Sequence, residues 1–284
     1  MPEPDKTDLF TNLPVLQHML SIQDHTGKLV NISTPPSRII SLVPSLTELL
    51  YDFGLDEKVI GITKFCVHPH NWFNTKTRVG GTKNLNIELI KSLQPDLVIA
   101  NKEENVKEQV ALIEKFCPVY TTEVKDIDNA ITTIRNLGTV THAADKANQI
   151  ADNIQKLFKQ SRVDSNIDTL YLIWKSPYMT VGGDTFINDM MTYAGLRNVM
   201  QNTRRYPEIT EDEIKSLNPR IILLSSEPYP FKESHKEELQ QICPKAKIFL
   251  VDGEMFSWYG SRMLSSSRYI EVLKRQILHE KTSI

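Results

Sequence analysis

No stretch of this 284-residue chain approaches the ~20 consecutive apolar residues of a membrane-spanning helix, so the sequence does not cross a bilayer in that way. Charge of one sign is also lacking. The 33 Lys and Arg against 35 Asp and Glu leave a formal net charge of −2, which supplies no field for nucleic acid. Cysteine is scarce. Cys66, Cys117 and Cys243 are odd in number and widely spaced, so they form neither a disulfide framework nor a CxxC-type zinc set. They read as buried small hydrophobes of a reducing compartment. The opening residues MPEPDKTDLFTNLPVLQHMLSIQ have no basic start, no continuous apolar stretch and no small-residue cleavage pattern, which predicts a cytoplasmic protein unless a leader is missing. G-x-S-x-G, H-E-x-x-H, P-loop and G-x-G-x-x-G motifs are all absent, so no catalytic residue is assigned.

What is present is ordinary globular composition, 40% hydrophobic and 24% charged, which excludes disordered and fibrous classes. The length fits one large or two medium domains. Residues 20–33 alternate around a turn at 24–27 and predict a β-hairpin. Short apolar runs at 38–43, 58–62 and 96–100, with Val119 and Tyr120, have the character of strands buried on both faces. Helices are expected after Ser45, as an N-cap, up to Gly54, and over 104–116. The second half repeats the plan: strands at 169–174, 220–224 and 247–251, a helix over 184–193 stopped at Gly195, and a closing helix from about 261 to 279. Strands alternating with helices predict an α/β fold with mainly parallel sheets.

The repetition is specific in places. NIELIKSLQP at 86–95 precedes one strand and TEDEIKSLNP at 210–219 precedes another. Two related lobes are therefore expected, 1–140 and 162–284. Between them residues 141–161 have helical apolar spacing without a breaker, giving a linking helix of about 19 residues and about 29 Å.

The segment PSRIISLVPSLTE at 36–48, followed by GGTKNLNIELIKSLQPDLVIA at 80–100, resembles the class III substrate-binding proteins of ABC importers, which carry cobalamin, haem and ferric siderophores. The likeness covers roughly 20–278 and is nearest to the cobalamin branch. It implies two Rossmann-like lobes, chelatase-like in plan and joined by one long backbone helix, that hold a metal chelate in the cleft. The protein would then be a monomeric, non-catalytic receptor without an intrinsic cofactor, delivering its ligand to a permease from a periplasmic or extracytoplasmic position. Ligands in such folds sit beyond the carboxyl ends of the strands. The resemblance places Phe65, Tyr206 and Met179 at ligand contacts, and Thr82 and Asn101 where the cobalamin receptor has tryptophans. The strand ends add Lys83, Lys102, Glu103, Trp174, Asp184, Arg205, Glu227, Phe256 and Trp258. Gly182-Gly183 before a helix is a candidate anion cradle. Glu88 and Asp212, at matching places in the two repeats, correspond to the family's acidic permease-docking residues; as acids at helix N-termini they also have a purely structural reading.

Two other readings stay open. His68 and His70 are weak metal candidates, and either could serve with Glu103 as the base of a cytosolic chelatase-like enzyme. The chain could also be an intracellular ligand-sensing derivative of the receptor fold.

Overall fold

A computed structural model describes residues 18–159 and 167–279; the remainder of both terminal lobe assignments, and residues 160–161 of the expected linking helix, lie outside the described residues. The chain opens with the antiparallel ribbon β1 (His18–Gln23) and β2 (Leu29–Thr34). Its turn is closed by the Asp24 carboxylate, which accepts from the Thr26 and Lys28 amides at 2.8 and 3.0 Å. Next come β3 (Ile39–Ser41), α1 (Pro44–Asp52), β4 (Val59–Ile62), α2 (His70–Thr75), β5 (Thr77–Arg78), the ribbon β6 (Gly80–Gly81) and β7 (Asn84–Leu85), α3 (Ile87–Ser92), β8 (Leu97–Asn101), α4 (Lys107–Ile113) and β9 (Val119–Thr122). The order β5-β4-β3-β8-β9 makes a parallel sheet.

After α5 (Ile127–Val140) and α6 (Ala144–Lys159) the second lobe follows: β10 (Ile167–Trp174), β11 (Tyr178–Thr180), α7 (Phe186–Tyr193), β12 (Leu196–Asn198), β13 (Glu208–Ile209), α8 (Glu211–Leu217), β14 (Ile221–Ser225), α9 (Glu233–Ile242), β15 (Lys247–Val251), α10 (Glu254–Ser257) and α11 (Met263–His279). Its sheet runs β13-β11-β10-β14-β15, with β12 also on β10. β10, β14, β15 and β12 are parallel, and β11 and β13 are antiparallel. The α/β architecture with two mainly parallel sheets is as the sequence implies.

The repeat is structural. In one copy α3 leads into β8; in the other α8 leads into β14, and each strand lies between the first strand of its sheet and the last in chain order. Asn86 caps α3 by accepting from the Leu89 amide at 3.0 Å. Thr210 and Glu213 form a reciprocal capping box on α8. The other expected cap is displaced. Val43 is the N-cap of α1, Pro44 takes the first helical position that its fixed φ favours, and Ser45 lies inside the first turn.

The linking helix expected over 141–161 is α6, Ala144–Lys159, and α5 precedes it. A turn at 141–143, with His142 at a left-handed φ of 58°, folds α6 back along α5. Their approach is close: a Cβ on Gly138 would stand 2.2 Å from that of Ala147, so only glycine fits. α5 reaches both lobes, and α6 meets the second through Phe158, whose ring lies 4.3 Å from that of Tyr193. Asn136 meets the His25 ring at 3.3 Å, and the Ile127 amide donates to the Asp189 carboxylate of α7 at 2.8 Å.

The strands alternate between two buried faces. In β3 and β8, Ile40, Val98 and Ala100 face an outer layer, while Ile39, Leu97 and Ile99 face inward. In β10 and β14, Leu170, Leu172, Ile222 and Leu224 face outward, while Tyr171, Ile221 and Leu223 face inward. The two inward sets belong to one continuous apolar cluster, which also takes in α5 and α11. This burial on both faces explains the continuous apolar runs of the sequence. Cys66, Cys117 and Cys243 are free and buried.

Candidate functional site

The carboxyl ends of the two sheets meet and are tied together at two places. On the β8–β9 side, Glu103 of the first lobe pairs with Arg205 of the second and accepts from the Tyr206 hydroxyl at 2.9 Å. Arg205 is held from behind. Its φ is 60°, a strained value for a side-chain-bearing residue. Its amide donates to Asp184 at 2.6 Å, and its carbonyl accepts from the Gly182 amide at 2.7 Å. On the β4 side, Arg262 forms a two-pronged pair with Glu48 of α1 at 2.7 and 2.8 Å and reaches Glu254 at 2.7 Å. His68 of the first lobe contacts the same Glu254 at 3.2 Å. Its ring meets Trp258 edge-on at 5.5 Å, and the Arg262 guanidinium lies 4.7 Å from the Trp258 ring.

Beside the Arg262 tie lies a cavity of about 800 Å³, lined by His68 of the first lobe and by Ser226, Glu227, Phe231, Leu250, Val251, Asp252, Glu254 and Arg262 of the second. That volume is within the range of small-molecule sites. Glu227 holds one oxygen to the Ser257 hydroxyl and the Trp258 indole, both at 2.9 Å. Burial, with Glu254 and Asp252 nearby, pushes its carboxyl up against those two hydrogen bonds. Glu104, at the exit of β8, is raised further. Burial and the facing carboxylates of Glu227 and Glu103 outweigh Lys83 and hold its proton to about 7.

The residues expected in the cleft take different places in the structure. Glu103, Arg205, Tyr206 and Asp184 are brought together as described. Phe65 and Trp174 are exposed aromatics at strand ends, 51% and 38% accessible, with the Lys64 ammonium 5.1 Å from the Phe65 ring and Tyr229 edge-on to Trp174 at 5.6 Å. Lys83 donates to the Glu103 carbonyl at 2.5 Å, and Lys102 pairs sideways with Glu123 at 2.9 Å. Thr82 is half-buried, its carbonyl accepting from Asn105 at 3.1 Å, and Met179 packs against the core.

Others are structural. Asn101 is buried; its carbonyl oxygen accepts from the Glu103 and Glu104 amides at 2.8 and 3.2 Å, and its amide donates to Thr122 at 3.1 Å. It shapes the loop that carries both glutamates. Phe256 is fully buried against Tyr171 and Tyr269, so its ring belongs to the core. Trp258, 7% exposed, is a wall of the closed interface and not an open stacking surface.

Gly182-Gly183 is not an anion cradle. Both amides are spent on the carbonyls of Arg205 and Thr203, and a Cβ at Gly183 would stand 2.0 Å from the Gln201 carbonyl oxygen. Close backbone approach is the reason for this glycine pair. Thr185, not Asp184, caps α7.

The enzyme-like set is not assembled. His68 faces Glu254, His70 meets the Asn74 amide at 3.1 Å, and Glu103 is occupied by Arg205 and Tyr206. No group of three or more His, Cys, Asp or Glu among the described residues could hold a metal ion. Glu88 and Asp212 lie exposed in the first turns of α3 and α8. Sequence reasoning missed Glu48, Glu104 and Arg262 as cleft groups. For Glu104 a signal existed, because it adjoins Glu103 just beyond a fully buried strand.

A family model described as "periplasmic binding protein" matches residues 39–244. The chain belongs to the periplasmic binding protein family. Among its relatives, an uncharacterized ABC transporter substrate-binding lipoprotein of Bacillus subtilis, YvrC, is 27% identical over 260 residues, covering 86% of this chain and 82% of the relative. Solved structures share the fold. The periplasmic vitamin B12 binding protein BtuF of Vibrio cholerae superposes with a TM-score of 0.73 at 20% identity, covering 85% of this chain and 98% of that one. The periplasmic heme-binding protein RhuT of Roseiflexus, in apo form, gives 0.73 at 18%, with coverages of 84% and 98%. Among the described residues no helix is long and apolar enough to cross a membrane.

Proposed function

We propose that this protein is the substrate-binding component of an ABC importer, taking a metal chelate (a cobalamin-like corrinoid, haem or a ferric siderophore) between its lobes and handing it to a permease without altering it. The observation that carries the reading is the pair of facing strand ends, tied by Glu103–Arg205 on one side and Glu48–Arg262–Glu254 on the other, with a cavity of about 800 Å³ beside the second tie. Relatives named for vitamin B12 and haem agree with it. The protein acts as a monomer on the extracytoplasmic side, where the periplasmic and lipoprotein relatives are placed by their names. Exposed Glu88 and Asp212, one on each lobe at equivalent helix starts, are its permease-docking residues.

The test is direct. Freshly purified protein is scanned for chelate absorbance, then titrated with cyanocobalamin, haem and ferric siderophores. Saturable binding of an unaltered chelate supports the receptor. Insertion of metal into a porphyrin supports the enzyme instead.

A further inference from the structure

One oxygen of Glu254 meets a nitrogen from each lobe. Arg262 of its own lobe reaches Oε2 at 2.7 Å, and Nε2 of His68, in the loop after β4 of the first lobe, stands 3.2 Å from the same atom. The arginine also grips Glu48 of α1 with two prongs. Glu48, Arg262 and Glu254 therefore form a cross-lobe chain of two carboxylates and one guanidinium, one positive charge short of balance. His68 stands where a proton would supply it.

The other charged groups of the neighbourhood are engaged elsewhere or carry the wrong sign. Glu227 and Asp252 share the cavity wall with His68 from the exits of β14 and β15, and Glu227 spends one oxygen on Ser257 and Trp258. In the histidine's own loop, the Lys64 ammonium lies 5.1 Å from the Phe65 ring and His70 meets the Asn74 amide at 3.1 Å. Among the described residues no metal-holding group of His, Cys, Asp and Glu includes either histidine.

Position gives the ring leverage. The loop is pinned two residues earlier by buried Cys66, whose sulfur lies 3.1 and 3.2 Å from the Thr47 and Thr63 hydroxyls. The imidazole is 40% accessible and exchanges protons with water, whereas Trp258, which it meets edge-on at 5.5 Å, is 7% exposed. Among the described residues His68 is the first lobe's contribution to the wall of the cavity, and Glu254 and Arg262 line it from the second lobe. An imidazole ordinarily takes up its proton at about pH 6.5. Protonated, it gives a carboxylate a charged donor; neutral, it forfeits the Coulomb attraction. A partly exposed pair of this kind shifts an equilibrium by about two- to fivefold.

We infer that His68 is a proton-operated latch on the cleft: its imidazolium completes the Glu48–Arg262–Glu254 chain and holds the lobes together over the cavity, and the neutral ring lets that edge loosen. The contribution is present in acid and is lost as the pH rises through the titration of the imidazole. The latch regulates the cleft of the receptor reading and rests on that reading for its use: a chelate is retained longer in acid than in mild alkali.

Trp258 reports the state of the latch without any chelate. Of the three tryptophans, Trp72 is fully buried and Trp174 is exposed, so a Trp174→Phe background leaves Trp258 as the indole whose access can change. Acrylamide quenching, followed by fluorescence lifetime, compares this background with H68Q, E254Q and H70Q made in it, at about pH 5.5 and about pH 8, each checked for folding by circular dichroism at both values. The expected result is quenching about two- to fivefold faster at the higher pH in the background and in H70Q, and no pH response in H68Q or E254Q. Adding Trp258→Phe to the background should remove the pH-dependent component. Equal quenching at both pH values in the background, a response that survives in H68Q or E254Q, or one that is lost in H70Q overturns the latch. No chelate is involved, so the receptor reading then still stands. Failure of the chelate titrations overturns the receptor reading instead, and the quenching ratio still decides whether the latch exists.

Discussion

Glu104→Gln tests the electrostatics of the empty cleft without any ligand. The Glu104 carboxyl is raised from the ordinary 4.5 to about 7 by burial, then by Glu227, with Lys83 acting the other way. Between those values the folded protein holds a proton that the unfolded chain has released. Stability therefore falls as pH rises through that window, by about 1.4 kcal/mol per unit, and the loss totals about 3 kcal/mol once the folded carboxyl ionises. Below the unfolded value the group is protonated in both states and costs nothing. Glutamine keeps the shape and removes the titration. Urea unfolding of wild type and variant at about pH 5 and about pH 8 measures the difference, which should grow in the variant's favour by about 2 to 3 kcal/mol across the interval, the first part of the loss having already occurred below about pH 5. A difference that stays constant with pH, within about 0.5 kcal/mol, refutes the claim that Glu104 stands uncompensated between the lobes.

Three further outcomes follow from the geometry. Phe65→Ala, at an exposed rim, should leave stability within about 0.5 kcal/mol while weakening chelate binding about tenfold, whereas Trp258→Ala should lower stability by about 3 kcal/mol through lost packing; thermal melts and titrations separate the two. Arg262→Met strands Glu48 and Glu254 and should cost about 3 kcal/mol, with Glu48→Gln in the same chain recovering part of it; a double-mutant cycle with no coupling would remove the lobe-tying role. Glu88→Arg with Asp212→Arg should preserve chelate affinity, cost about 1 kcal/mol from the two helix starts, and abolish uptake in a reconstituted transporter; retained uptake excludes them as docking residues.

Much of the frame was legible because its signals are local. Runs such as 96–100 and 220–224 are apolar on consecutive residues, which happens when both faces of a parallel strand are covered, and they became β8 and β14. Asn86 and Thr210 announced their helices through caps that need only three following residues. The short pairings β11–β13 and β10–β12 carried no such pattern, because two or three residues on a sheet edge are too few to show a period. The linking helix expected from 141 is α6, but the sequence reading does not anticipate α5, which precedes it across the turn at Thr141 and His142. The cleft was partly readable. Strand exits located Glu103 and Arg205, but which acid faces which base was not, since Glu48 and Arg262 meet from opposite ends of the chain and Phe256 turned inward while Ser257 beside it turned to Glu227.

The apolar cluster common to both sheets has a consequence for how the molecule comes apart. Ile39 and Leu97 from one half, Tyr171 and Leu223 from the other, and Ile134 from α5 share a single interior. The halves are twins in plan but tenants of one room, and calorimetry should record one melting event where the symmetry of the drawing invites two. The same joint tenancy sets the mechanical range of the receptor: the rims can part by a small rocking motion, but any wider swing would bring Ile134 and Tyr171 into water, so unloading must be accomplished at the mouth and not by unhinging the body.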